Sequence, residues 1–537
     1  MNRTRICIAV LLLSLTGGMT SCALKKETAA STFKNPVLWA DVPDPDVIRV
    51  GDDFYLMSTT MHLMPGGPVM HSKDLVNWRT ASYLFDRLTD SPKYDMQGGT
   101  VYGRGQWATS LKYKDGMFYA LFAPNDSPGG DSYLYQTEDP KKEWTLKTRL
   151  PHFHDCSLFF DDDDRVYVFH GTGLVQELRP DLTGIKEGGL NLTLFERDST
   201  ETGLLEGSRV VKKDGKYYLF MVSWPKDKPC RQVCYRADKL EGPWEKRIIL
   251  EDNFAGFPYV GQGTIVDDTD GNWYGIIFQD RGAVGRVLTL MPCRWEDGWP
   301  ILGDEEGKVP LTMEIPCDGT LDEEAAIVTS DDFDTPQLSM NWQWNHNPEN
   351  QAWSLTERKG WLGLPTRRKA NHIFEAVNTI SQRMMGPKCS GTIKMDVSHM
   401  ADGDCAGLSA FNGDAVQLTV TCEGGQKVLS VQEASVKLIE KDKAIEGVDT
   451  RVTGKTELEG DIIYLRIDAD FNLYQDIARL SYSLDGNEWT KLGHDFKMKY
   501  DFTRLFMGSR FAIFNYATRN TGGYVDIDYF HFQCDEK

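Results

Sequence analysis

A chain of 537 residues with 41% apolar and 26% charged residues is long enough for two or three domains and buries ample core, so its stability requires neither a metal nor disulfides. The formal charge of −20 repels polyanions and argues against nucleic acid as a partner, whereas 14 tryptophans suit the apolar faces of neutral sugars.

At the N-terminus, Arg3 and Arg5 precede an apolar run over 6–15, after which small residues lead to Ser21 and Cys22. Residues 1–22 resemble the signal peptide of a bacterial lipoprotein, with Cys22 as the lipidated first residue of the mature chain. Ordinary secretion with Cys22 unmodified is the alternative. Residues 23–33 read as a linker, and the ALKKE that follows Cys22 lacks an acidic export tract, which favours the periplasm. No later run reaches the roughly 18 to 20 apolar residues of a membrane span, so the membrane is met only through the lipid. Of 11 cysteines, nine remain beyond Cys7 and Cys22, without CxxC pairs or histidines at zinc-ligand spacing. Cys230 and Cys234 either pair across a strand or loop or stay separate thiols.

From Asn35 to about Asp318 one template recurs five times. Anchored on Tyr55, Tyr119, Tyr167, Tyr218 and Tyr274, a count back of 11 residues in the first repeat and 12 in the others lands on Asp44, Trp107, Asp155, Glu206 and Gln262. Each is followed by a short apolar strand, a turn rich in Asp and Gly, and an aromatic strand, as in SRVVKKDGKYYLF. Repeats spaced by roughly 50 to 60 residues fit one four-stranded propeller blade each. A second periodic element, a turn with Asp followed by Trp (Asp74 and Trp78, Asp139 and Trp144, Asp238 and Trp244), fits between a blade's outer strands. The expected fold is all-β: a five-bladed β-propeller over 34–318, then a β-sandwich over 319–537. The second half rests on alternating strands such as IIYLRIDAD and GGYVDIDYFHF and on the Asp485-Gly486 hairpin signal.

Equivalent positions at one end of a propeller's inner strands converge on the axis, so Asp44, Asp155 and Glu206 are expected in one pocket. Cleaving a glycosidic bond with inversion needs an acid for the leaving oxygen and a base for water, on two carboxyl groups roughly 6.5 to 9.5 Å apart. Pro43 and Pro45 stiffen the backbone at Asp44, which suits a residue that positions water. Glu206 has the longer side chain beside Gly207, and a carboxyl shielded from water can hold a proton near neutrality, as a general acid must. Asp155 would orient Glu206 and use its charge to keep Glu206 protonated. The run Asp161 to Asp164, like Asp52, Asp115, Asp214 and Asp270, reads as exposed hairpin turn.

The motifs NPVLWADVPDPDVIRVGDDFYLMST, HSKDLVNW, DCSLF, LLEGSRVVKKDGKYYLF and RWEDGWPIL together resemble glycoside hydrolase family 43, in the form with a C-terminal concanavalin A-like sandwich. The resemblance spans about 35 to 537. It implies Asp44 as general base, Asp155 as pKa modulator and Glu206 as general acid, with Trp107 and Arg286 lining the sugar site. Many members have a histidine near the axis, sometimes with a bound calcium, where this chain has Gln262. Gln262 is taken as a substrate-site residue; a structural calcium stays open, and the chemistry requires no cofactor. The segment TTMHLMPGGPVMHS, with His62, departs from the familiar xylosidases and is expected to shape the sugar pocket. A sandwich loop is expected to cap that pocket, with Phe511, Phe514 and Tyr516 as candidates. A lidded pocket implies exo action on an oligosaccharide, releasing a terminal α-L-arabinofuranose, with β-D-xylosidase activity as the alternative. A sugar-binding protein without activity is the rival from another class.

Overall fold

The computed structural model describes residues 31–124, 131–256, 260–439 and 443–535. The signal segment, Cys22 and the linker up to residue 30 lie outside the described residues. Thr32–Lys34, at the end of the expected linker, is a strand paired with Thr312–Glu314.

Five antiparallel four-stranded sheets follow one another along the chain, opening with the strands Asp46–Val50, Gln106–Lys114, Ser157–Phe160, Leu204–Lys213 and Val260–Asp267. The opening strand of each sheet pairs with the aromatic strand predicted for it, for example Val211 opposite Tyr218. The Asp-to-Trp turns join third to fourth strands, as predicted: Asp74 and Trp78 lie between Gly66–Ser72 and Arg79–Phe85, and the Trp78 indole donates to Leu75 O at 2.8 Å.

Among the described residues, the propeller has no single central core. Its apolar side chains form five clusters, one between each pair of neighbouring blades; Leu219 and Met221 of blade four, for instance, pack against Phe159 and Tyr167 of blade three. Asp161 belongs to such a seam. It is buried and bound to Lys212 and Tyr217 of the next blade, whereas Asp162, Asp163 and Asp164 are exposed as expected. A buried carboxylate needs partners, and the neighbouring blade supplies them.

The ring closes without exchanging a whole strand. Residues 35–42 run beside the strand Arg286–Glu296 of blade five, with Leu38 bridged to Leu288 and the Asn35 amide bonded to Leu290 in both directions at 2.7 and 3.0 Å. Arg49 of blade one completes the closure on Asp267 of blade five at 2.8 Å.

Downstream, an eight-stranded and a seven-stranded antiparallel sheet pack face to face. Alternate residues of strands such as Ile462–Asp470 supply the shared core: Ile463, Leu465 and Ile467 meet Leu408, Leu418 and Ile513. Propeller and sandwich are joined through the segment that departs from the familiar xylosidases. Leu63–Met64 pairs with Gln343–Asn345 and so becomes the edge strand of the eight-stranded sheet. His62 is fully buried there against Tyr102 and His346, with no surface left for a ligand, and burial pushes its imidazole down to about 3. Cys230 and Cys234 are separate buried thiols.

Candidate active site

Asp44 and Asp155 occupy the same place in their blades, two residues before the opening strand, and both backbones are left-handed, at φ 55° and 47°. That conformation costs most L-residues about 1–2 kcal/mol, and Asp is among the few that visit it readily. Glu206 lies within its strand at a bulge between Glu206 and Arg209, where Gly207 has φ 82°. Blades two and five are irregular at the matching places, beside Trp107 and Gln262. A bulge re-aims the side chain it carries, so the five template positions all depart from regular pairing at the same end of the propeller.

The three carboxyl groups differ in access. The side chain of Glu206 is 33% exposed, that of Asp44 15% and that of Asp155 7%. Asp44 Oδ2 accepts from Thr59 Oγ1 at 2.7 Å and lies 3.7 Å from the Arg286 guanidinium. Asp155 is pushed up to about 7, first by burial; His154 opposes this, and the charges of Glu206 and Asp44 add to it. His154, which sequence reasoning passed over, sits between two of the acids. Its Nε2 lies 3.5 Å from Glu206 and 3.8 Å from Asp155, and the ligand atoms of all three residues fall within 4.8 Å of one another. The hydrogen bond to Glu206 leads in raising His154 to about 9, with Asp155 and Asp44 adding and burial opposing.

Trp107 and Arg286 join this group. The Trp107 ring is 6.1 Å from His154, and its indole is held by Gly103 O at 3.2 Å. Arg286 is buried; it donates to Phe506 O at 2.9 Å, and its guanidinium lies 4.3 Å from the Phe506 ring centre. Phe506 comes from the sandwich and also packs edge-on against Trp107 at 5.8 Å. The sandwich therefore does reach the pocket, but through the loop before the strand Arg510–Ala517. Phe511, Phe514 and Tyr516 are buried, because both faces of their strand are covered: alternation turns Phe511 into the core between the two sheets and Phe514 and Tyr516 onto the opposite face, against Tyr102 and Phe374. Gln262 also differs from expectation. It is 4% exposed, and the amide orientation that satisfies its hydrogen bonds, assigned because the opposite one sets the amide nitrogen against a cation, turns the oxygen to accept from both terminal nitrogens of Arg209 at 3.1 Å. It braces that guanidinium and offers little surface to a ligand.

Acids from three blades, a buried arginine and an aromatic wall built by both domains form the kind of pocket in which a glycoside hydrolase grips a sugar and moves protons at its anomeric centre. The chain belongs to the glycosyl hydrolases family 43, whose model matches residues 33–300; residues 330–533 match the beta xylosidase C-terminal concanavalin A-like domain. It is 31% identical to a putative beta-xylosidase of Xylanibacter ruminicola, over 85% of this chain and 84% of that one. A non-reducing end alpha-L-arabinofuranosidase of Bacteroides ovatus is 26% identical, over 94% and 96%. Among solved structures, a bifunctional GH43-CE protein of Bacteroides eggerthii superposes with a TM-score of 0.85 at 39% identity; the match covers 95% of this chain but 64% of that longer one.

Proposed function

We propose that the protein is an exo-acting, inverting glycosidase that removes a single terminal pentose from oligosaccharides derived from hemicellulose. Asp44 is the base, Glu206 the acid and Asp155 the group that tunes and orients them. The observation that carries this reading is the ordering of the three carboxyls. Glu206, the most exposed, is open to a leaving group; Asp44 is held by Thr59 and Arg286 as a water-positioning base would be; Asp155 is enclosed. The wall of Trp107 and Phe506 supports recognition of a chain end.

The sequence points first to α-L-arabinofuranose. The names of relatives favour β-D-xylose as strongly: one match is a Formosa agariphila beta-xylosidase, 28% identical over 94% of this chain. Rates on the nitrophenyl glycosides of both sugars, followed by branched oligosaccharides, decide between them. NMR of the first-formed anomer tests the mechanism, and retention of configuration would refute inversion. Sugar binding without hydrolysis would favour the non-catalytic rival. We also propose that Cys22 is lipidated and anchors the protein on the periplasmic side; loss of lipid labelling in Cys22→Ala tests the anchor.

A further inference from the structure

We propose that Arg209 takes the place of an axial metal ion and is the positioning residue that sets the three acids relative to one another. Arg209 belongs to blade four, and its side chain is fully buried on the axis. Its guanidinium reaches every blade. Nη2 donates to Asp44 O of blade one at 3.1 Å and to Thr109 O of blade two at 3.3 Å; Nη1 donates to Cys156 O of blade three at 3.1 Å and to Ser208 O of its own blade at 3.0 Å. Gln262 supplies the oxygen from blade five. Asp46, whose buried carboxylate lies 3.7 Å from Nε and is shared with Lys112 at 3.2 Å, offsets part of the charge.

This donor set does not fit calcium. A calcium ion takes six to eight oxygens at about 2.3–2.6 Å, but the axial carbonyls are already accepting from a cation that cannot lose its proton. A second positive charge among them would be repelled, with little water present to screen it. Gln262 fits the same logic. An amide oxygen has two lone pairs and can accept from both terminal nitrogens at once, whereas an imidazole nitrogen offers one. The departure from the histidine common in the family and the axial guanidinium thus form a matched pair.

Three of the four carbonyls that Arg209 holds are those of Asp44 itself, of Cys156 next to Asp155, and of Ser208 two residues beyond Glu206. Moving the guanidinium therefore moves the backbone beneath all three acids. Misplacement by about 1 Å at such a site can cost about 100-fold in rate.

The test has two arms. In the first, the unmodified protein is stripped with a chelator and then titrated with calcium. Unchanged melting temperature and rate are expected; inactivation by the chelator, or a calcium-dependent rise in melting temperature, would overturn the proposal. In the second, Arg209→Lys and Arg209→Ala are assayed on the nitrophenyl substrate that the wild type cleaves best. The expected result is a fall of about 100-fold in kcat with little change in KM, partly restored in Arg209→Ala by methylguanidinium. Wild-type kcat in a folded Arg209→Ala variant, or a loss seen only in KM, would overturn it. Should neither variant fold, the chelation arm still decides. Its melting-temperature readout does not depend on the roles given to the acids, so failure here is distinguishable from failure of the catalytic reading.

Discussion

Glu206→Gln tests the catalytic assignment most directly, because it removes a proton donor and leaves the shape of the side chain. The carboxyl is one-third exposed and its polar partner is His154 at a long 3.5 Å, so the fold should survive with a melting temperature close to that of the wild type. A positioned general acid contributes about 10²–10⁴-fold, or roughly 2.7–5.4 kcal/mol at about 1.36 kcal/mol per decade. On an oligosaccharide, where the departing sugar oxygen must be protonated, kcat/KM should fall by about 10³-fold. On the nitrophenyl glycoside the leaving group departs as a stable anion, and the loss should be about tenfold or less. His154 provides an independent readout. Its hydrogen bond to Glu206 is the leading cause of its elevation to about 9, so its imidazole should titrate at lower pH in the variant, measured by NMR. Equal losses on the two substrates would refute Glu206 as the proton donor, whatever happens at His154.

Asp44→Asn should abolish most turnover on both substrates alike, since a base that activates water is needed whatever group departs; a selective loss on one would contradict its role. His154→Gln should move the acid limb of the pH–rate profile to higher pH, because Asp155 stands at about 7 with the His154 cation opposing its rise, and loss of that cation lets it climb further. The same variant has a stability signature. His154 is raised from 6.5 to about 9 on folding, so its contribution is complete below about pH 6.5 and is lost as pH rises through about 9; the melting-temperature gap between wild type and variant should narrow over that window. Phe506→Ala removes a cation–π contact of about 0.5–2 kcal/mol and an aromatic contact of about 0.5–1.5 kcal/mol. Its kcat/KM should drop about 10- to 100-fold on short substrates; an unchanged value would show that the sandwich is no part of the sugar site. Gly207→Ala places a Cβ 3.0 Å from the Gln262 side chain at a left-handed backbone, so it should lower the melting temperature and the rate together.

What this chain declares in its sequence is whatever a single blade can specify. The first half of each blade is one strand, a turn and an aromatic strand in local succession, so its spacing fixes which residue stands at the head of the inner strand, and counting from five tyrosines finds Asp44, Trp107, Asp155, Glu206 and Gln262 from the chain alone. The residues that escaped this count act across blades or domains. Arg209 is one side chain on one strand until neighbouring blades present carbonyls to it. Asp161 looks like turn until blade four brings Lys212 and Tyr217, and Leu63–Met64 becomes a sandwich edge only once Gln343–Asn345 lies beside it. Phe506 precedes a strand of conspicuous aromatics that are buried on both of its faces, which leaves the loop residue to reach the pocket. Periodicity is a property of the chain, whereas a hydrogen bond between residues separated by 165 positions, as from Arg209 to Asp44, exists only after the ring has closed.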